Sequence, residues 1–217
     1  LLQLLVSRNI STKKIEDFIN PKLKNLLPDP YTIDDMKRAS DKICDFINRK
    51  KRIGIFGDYD VDGASSTALI GNYFKKINQN FEIYIPDRKS EGYGPSIKSF
   101  QNLINKEVTL IITVDCGTMS FEAIDFANQN KIDVIVLDHH QSEVKLPNAY
   151  SVINPNRSDD VSNLNYLCAA GVCFMTLVSV NSFLRKLNWF NENLIKEPDL
   201  LNFLDLVSLG TICDVVP

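Results

Sequence analysis

Short apolar stretches that alternate with segments of helical character constrain the fold of this chain more than any other feature. Strands are predicted over residues 52–57, 81–85, 108–114 and 132–137, with a further short strand over 150–153. Helices are predicted between them, over about 64–76, 96–104 and 120–130. Apolar strands that alternate with helices are typical of a parallel sheet covered by helices on both faces. The sequence therefore predicts an α/β fold.

The N-terminal part has a different, purely helical pattern. A polar helix is predicted over residues 11–19, followed by a proline-punctuated loop that reaches Pro30. A second helix is predicted to begin with Thr32 as its N-cap, to carry Asp34 and Asp35 in its first turn, and to end near residue 50.

The C-terminal part is also predicted to be helical, over about 168–187 and 199–209. We therefore expect a helical N-terminal extension over residues 1–50 and an α/β catalytic domain with a helical tail over residues 51–217. The chain begins with Leu1 rather than Met, so we expect it to be a fragment of a longer protein.

Composition excludes several classes of protein. The chain is 44% hydrophobic and 24% charged, as is usual for globular proteins, and it lacks an apolar run of about 18 residues that could span a membrane. No signal peptide is visible. The five cysteines include no CxxC pair and are predicted to be buried free thiols in a reducing cytoplasm.

Charge is distributed unevenly along the chain. Basic residues outnumber acidic ones in residues 1–57, whereas acidic residues dominate the rest. This pattern suits a protein that contacts phosphates with one part and holds metal ions with the other. A solvated basic helix surface is the alternative interpretation.

Carboxylates follow the first strand directly. Three aspartates stand in five residues between two glycines: Asp58, Asp60 and Asp62. Such a cluster at the end of a buried strand is costly unless a cation neutralises it, although a solvated acidic turn is the alternative. A calcium loop of the EF-hand type is excluded, because the motif follows a strand and Leu69 stands where a bidentate Glu is needed. Residues 65–67 are predicted to open a helix whose amides could bind a phosphate.

Further polar residues stand at the ends of the later strands. Asp115 follows the third strand, and Asp138, His139 and His140 follow the fourth. Asp214 lies in an apolar stretch near the C-terminus. Taken alone, Asp115 and Asp214 could be helix caps or buried hydrogen-bonded residues, and the histidines could be solvated.

Taken together, these side chains describe one site, because the carboxyl ends of parallel strands meet at one edge of a sheet. The set is rich in carboxylates, includes imidazole and excludes thiolates, which favours Mn²⁺ or Mg²⁺ over structural zinc. We expect two ions, which could together activate water and stabilise the leaving oxygen of a phosphoryl group.

Four motifs in this order and spacing resemble the DHH phosphoesterase family, and their wording resembles its RecJ-type exonucleases. The motifs are DYDVDG at residue 58, DCG at 115, DHH at 138 and GTICDVVP at 210. Four shorter segments resemble the same subfamily: residues 86–88, 91–94, 153–156 and 168–172. The resemblance covers roughly residues 50–217.

The resemblance implies a role for each metal ligand. Asp58 would hold the first ion and Asp60 the second, and Asp115 would bridge the two. His139 and Asp214 would complete the second site.

The resemblance also implies residues that act on the substrate. His140 would contact the scissile phosphate, with Asp62 as an auxiliary ligand or a support for the ligands. Arg88 would bind DNA phosphates, and Tyr93 would stack on a base or merely pack. Many family members have a histidine where this chain has Gly54, so weaker binding of the first ion is expected.

The function implied by the resemblance is a 5′-to-3′ single-stranded DNA exonuclease that releases 5′-mononucleotides in repair and recombination. It would act as a monomer, with single-strand-binding or helicase partners, and its further substrate-binding and OB-fold domains would lie outside residues 1–217. The alternatives are a family member acting on small nucleotides or pyrophosphate, and a DNA-binding relative without catalysis.

Overall fold

The computed structural model describes residues 2–8 and 10–216, and its centre is a five-stranded parallel sheet. The strands are β1 (Ile53–Phe56), β2 (Phe81–Tyr84), β3 (Leu110–Val114), β4 (Asp133–Leu137) and β5 (Ser151–Ile153). Their order is β2-β1-β3-β4-β5, and every neighbouring pair is parallel. The predicted α/β fold is confirmed.

Helices cover both faces of this sheet. Those that follow the strands are α5 (Val61–Lys76), α6 (Ile97–Ile104), α7 (Phe121–Gln129), α8 (Ala169–Lys186), α9 (Trp189–Glu192) and α10 (Leu204–Cys213). Those before the sheet are α1 (Leu2–Ser7), α2 (Ile15–Ile19), α3 (Leu23–Leu26) and α4 (Met36–Asn48). None of the described helices is both long enough and apolar enough to cross a membrane.

Alternate strand residues supply two hydrophobic cores, as the two-residue period of a strand requires. Ile55, Ile112 and Ile135 face one core, which α4, α5 and α8 close. Ile111 and Val134 face the other, which α6 and α7 close. Both faces of the central strands are therefore buried, which explains their nearly continuous apolar sequences.

The start of α4 was predicted wrongly. Thr32 lies in a short 3₁₀ turn rather than capping the helix, and α4 begins only at Met36. Asp35 precedes it in the left-handed region, at φ 62°, and its carboxylate accepts the N–H of Val152 on the edge strand β5. A contact with a distant part of the chain therefore sets this helix end. The predicted boundary between an N-terminal extension and a catalytic domain at residues 50 and 51 stays a prediction. Helix α4, which precedes this boundary, packs against α8 and β5.

The start of α5 also differs from the prediction. The helix begins at Val61, and Asp60 is its N-cap, accepting the N–H of Gly63 at 2.8 Å. Residues 65–67 are therefore buried in the second turn and cannot offer helix-terminal amides to a phosphate. Short helices also occur within the predicted loop at Leu23–Leu26 and at Trp189–Glu192.

The cysteines are free thiols throughout the described chain, as predicted. Four of them are buried, whereas Cys213 at the end of α10 is exposed.

Candidate metal centre

The order of the strands indicates at which edge of the sheet a functional site can form. The chain leaves β1 toward β2 on one side, whereas β3 lies on the other side of β1. In open parallel sheets such a reversal opens a crevice beyond the carboxyl ends of the strands. The residues that follow β1, β3 and β4 all meet there.

Asp58 and Asp60 lie in the tight turn from β1 to α5. Asp58 is only 3% exposed. A Cβ atom at Gly63 would lie 2.8 Å from the main chain of Asp58, so only glycine allows α5 to begin this close to the strand. Asp60 is exposed and caps the helix with one oxygen.

Asp115 follows β3 in a strained conformation. Its φ is 61°, in the left-handed region that a residue with a side chain adopts only when its surroundings require it. Its N–H donates to the carbonyl of Leu137 at 2.9 Å, which extends the ladder between β3 and β4. Both of its carboxylate oxygens are buried without a hydrogen-bond partner among the described residues.

His139 lies at the centre of the cluster. Its Nε2 atom is 3.4 Å from Asp115 Oδ1, 3.5 Å from Asp214 Oδ2 and 3.8 Å from Asp62 Oδ2. That nitrogen is buried and makes no hydrogen bond within the described part of the chain.

Three overlapping groups of side chains could each hold an ion, with ligand atoms within 4.8 Å of one another. The groups are Asp58 with Asp60 and Asp115, Asp62 with His139 and Asp214, and Asp115 with His139 and His140. The structure thus brings together every predicted metal ligand: Asp58, Asp60, Asp115, His139 and Asp214.

Electrostatics support a cation at this position. Burial, followed by the charges of Asp62 and Asp60, raises the pKa of Asp115 to about 10. Burial also raises the pKa of Asp58. Buried carboxylates that lack donors are costly unless a cation faces them, so these residues fit divalent metal ions.

Asp62 makes contacts of a different kind. Its two oxygens accept the N–H groups of Ala169 and Ala170, at 2.6 and 2.9 Å, so it caps the start of α8. A Cβ atom at Gly210 would lie 2.4 Å from Asp62 Oδ1, which shows how closely α10 packs here. Asp62 therefore joins α5, α8 and α10, and Asp214 directly follows the last residue of α10.

Asp138 had no predicted role, although it opens the DHH motif. One oxygen accepts the N–H groups of His139 and His140 at 2.8 and 3.2 Å and lies 2.8 Å from His140 Nδ1. The other accepts the N–H of Thr118 at 3.0 Å. Burial raises the pKa of Asp138, but the hydrogen bonds and charge of His140 together with Thr118 outweigh it and lower this pKa to about 2.

Two asparagines hold the same loop. Asn154 donates to the carbonyl of His140 at 2.8 Å and to Thr118 Oγ1 at 3.0 Å. Asn156 donates to the carbonyl of His139. Residues 153–156 supported the resemblance, but the sequence did not indicate which contacts they make.

The predicted substrate residues border the centre. Arg88 is exposed, with its guanidinium carbon 5.1 Å from the ring centre of Tyr59, and its charge opposes the rise in the pKa of Asp58. Tyr93 is 57% exposed and donates its hydroxyl to the carbonyl of Asp115 at 3.1 Å. Its ring meets His140 edge-on at 6.0 Å, beside a cavity of about 640 Å³.

Gly54 lies inside β1 rather than at the centre. A Cβ atom there would lie 2.9 Å from Val108 and 3.3 Å from Leu103. A Cβ atom at position 54 would therefore lie among core residues. Weaker binding of the first ion stays a prediction.

Comparisons with known proteins agree with this geometry. The DHH family, N-terminal domain, matches residues 52–211. The single-stranded-DNA-specific exonuclease RecJ of Dickeya dadantii is 40% identical over 168 residues, which cover 77% of this chain and 29% of that protein. The protein of the same name from Escherichia coli is 35% identical over 219 residues, covering 100% of this chain and 37% of the relative. The chain thus spans well under half the length of these curated relatives.

Solved structures show the same similarity. The crystal structure of exonuclease RecJ bound to manganese matches with a TM-score of 0.73 and 28% identity, over 85% of this chain and 44% of that one. RecJ from Thermus thermophilus in complex with Mn²⁺ matches with a TM-score of 0.74 and 26% identity, over 98% of this chain and 28% of that one.

Proposed function

Since the chain belongs to the DHH family, we propose that it is the catalytic domain of a divalent-metal-dependent phosphodiesterase that degrades single-stranded DNA from its 5′ end. One observation carries the proposal: buried carboxylate oxygens of Asp58 and Asp115 lie without hydrogen-bond donors among the described residues, beside His139. Relatives that cover most or all of this chain are named single-stranded-DNA-specific exonucleases, and the similar solved structures contain manganese.

Two groups of residues would hold Mn²⁺ or Mg²⁺. As the resemblance implies, we assign Asp58 to the first ion and Asp60 to the second, and Asp115 would be shared by both. Ligand atoms of these three carboxylates lie within 4.8 Å of one another. His139 and Asp214 complete the second site, with Asp62 beside them. Bound ions would lower the pKa of water and stabilise the leaving oxygen of a phosphodiester.

The substrate would bind along the rim of this centre. His140, with 47% of its side chain exposed, is placed to contact the scissile phosphate. Arg88 offers a guanidinium group suited to phosphate oxygens. Tyr93, fixed by its hydroxyl and exposed on its ring, offers a surface on which a base can stack.

We place this activity in DNA repair and recombination in the cytoplasm, as the resemblance to RecJ-type exonucleases implies. Action as a monomer and partnership with single-strand-binding or helicase proteins stay predictions from the same resemblance.

The test is nucleotide release from 5′-labelled single-stranded DNA with Mn²⁺, with Mg²⁺ and with chelator, beside a duplex and a dinucleotide. We expect metal-dependent release of 5′-mononucleotides from the single strand. Cleavage of the dinucleotide alone would favour an enzyme for small nucleotides. Absence of hydrolysis with Mn²⁺ still bound would contradict catalysis by this chain.

A further inference from the structure

Asp138 is buried within the loop that carries both histidines, yet its carboxylate faces N–H groups rather than the carboxylates of the centre. Its contacts are with the main chain of His139, His140 and Thr118 and with the ring of His140. Both oxygens are thus occupied by donors from the protein itself. This arrangement suits a residue that orients its neighbours, not one that binds an ion.

We propose that Asp138 is a positioning residue that holds His140 in one ring orientation, with the Nδ1–H group donating to Asp138 and with Nε2 turned toward the substrate phosphate. This inference rests on the proposed function, since it assigns His140 its working atom. It concerns the free protein as well, because the contact between Asp138 and His140 is present without substrate.

The orientation of the His140 ring follows from the chemistry of its contact with Asp138. An ionised carboxylate only accepts hydrogen bonds, and Nδ1 of His140 lies 2.8 Å from Asp138 Oδ1. At that distance Nδ1 must carry a proton, so Nε2 is the ring nitrogen left to face the substrate. Nε2 can donate to a phosphate oxygen when the ring is charged, because only then do both nitrogens carry protons. His139 differs, because it points Nε2 at Asp115 and Asp214.

Further hydrogen bonds hold the main chain of the loop that carries His140. Thr118, which follows β3, donates its N–H to Asp138 and accepts a hydrogen bond from Asn154. Asn154, which follows β5, also donates to the carbonyl of His140. The ends of three neighbouring strands therefore fix the position of His140 together.

The substitution Asp138→Asn tests whether the charge of Asp138 orients the His140 ring, because it removes the charge and keeps the size of the side chain. The amide has nearly the same size as the carboxylate but carries no charge. Its NH₂ group must face either the N–H of Thr118 or, on the other side, the N–H groups of His139 and His140 together with Nδ1 of His140. In either orientation the negative charge that holds the Nδ1 proton is lost, so the His140 ring is free to turn or to carry its proton on Nε2. In the histidine of a Ser-His-Asp triad, the corresponding change lowers kcat by about 10⁴-fold.

In kinetics, we expect Asp138→Asn to lower kcat on single-stranded DNA by about 10²- to 10⁴-fold with little change in KM. In a His140→Ala background, the same change should cost nothing further, because its effect passes through the His140 ring. Asp133→Asn is the matched control: Asp133 stands at the opposite end of the same strand, is partly exposed and pairs with Lys42 at 2.8 Å. It should leave kcat unchanged.

The decisive readout needs neither metal nor turnover. Long-range ¹H–¹⁵N NMR of the metal-free chain, at a pH where His140 is neutral, reports which ring nitrogen is protonated. We expect the proton on Nδ1 in the parent and a shift toward Nε2 in Asp138→Asn. Because the parent spectrum alone tests the tautomer, the proposal stays testable even if the variant does not fold.

A parent spectrum with the His140 proton on Nε2 would overturn the proposal. So would a further loss of kcat from Asp138→Asn in the His140→Ala background, since that loss would show a role independent of the ring. If the parent hydrolyses no DNA, the proposed function fails while the NMR result still decides the orientation of His140.

Discussion

The buried aspartates of the centre form two pairs that differ in what faces their oxygens. The anchored pair, Asp62 and Asp138, accepts main-chain N–H groups on both oxygens of each carboxylate. The open pair, Asp58 and Asp115, has buried oxygens without such donors in the described structure. All four side chains are at most 3% exposed, so burial does not distinguish the pairs.

The difference shows how hydrogen-bond donors decide what a buried carboxylate does. Burial raises the pKa of both Asp138 and Asp115, but the donors around Asp138 lower it to about 2, whereas the pKa of Asp115 rises to about 10. Asp62 is intermediate: burial raises its pKa and the amides of Ala169 and Ala170 oppose that rise. The anchored pair therefore holds the main chain around the centre in place, and the open pair is available to bind cations.

Asp115→Asn should have the largest effect, because it removes the charge shared by two of the three candidate ligand groups. We expect Mn²⁺ binding by calorimetry and nucleotide release to fall to background, with the circular dichroism of the metal-free protein unchanged. Asp125→Asn, at an exposed position on α7, is the matched control and should behave as the parent. Mn²⁺ affinity equal to the parent's would remove Asp115 from the centre.

Alanine substitutions in the two pairs should have different effects on the stability of the metal-free fold. Asp62→Ala removes a helix cap and leaves two buried amides without acceptors, which we expect to lower the free energy of unfolding by about 2–3 kcal/mol. Asp58→Ala removes a buried carboxylate oxygen that already lacks a donor, so stability should stay the same or rise. Urea titration in chelator measures both, with fluorescence from Trp189, the single tryptophan, as the probe. Equal losses from the two variants would break the distinction between the pairs.

Much of the sheet and the ligand set could be predicted, because both depend on local patterns. The apolar stretches at Leu110–Val114 and Asp133–Leu137 are strands, as their composition indicated. Parallel strands bring their carboxyl ends to one edge, so Asp58, Asp115 and His139 converge wherever such a sheet forms.

Contacts between distant parts of the chain could not be predicted in this way. The start of α4 depends on Asp35 reaching Val152, which lies 117 residues away. Asp62 was predicted to act near the metals, but the amides that hold its two oxygens lie 107 and 108 residues further along the chain. Asp138 is bound partly by its own neighbours His139 and His140, but its other oxygen accepts the N–H of Thr118, which lies 20 residues earlier. The distant donors to the anchored pair are thus the contacts that the sequence indicated least well.

The smallest expected effect is a pH dependence that belongs to the open pair alone. The pKa of Asp115 is about 10 in the folded protein and 3.8 in its ordinary state, so the folded chain keeps a proton that the unfolded chain releases. The stability that this proton provides is fully present below pH 3.8 and is lost as the pH rises toward 10.

One such group changes the free energy of unfolding by at most about 1.4 kcal/mol per pH unit. In chelator, between about pH 7 and 8, the parent should therefore lose up to about 1 kcal/mol more than Asp115→Asn does in urea titrations. Saturating Mn²⁺ should weaken this loss, because a cation replaces the proton between the same oxygens. If the free energy of unfolding depends on pH equally in the parent and in Asp115→Asn, Asp115 is ionised in the metal-free fold. Its carboxylate would then be stabilised by hydrogen-bond donors, as those of the anchored pair are, and the distinction between the pairs would fail.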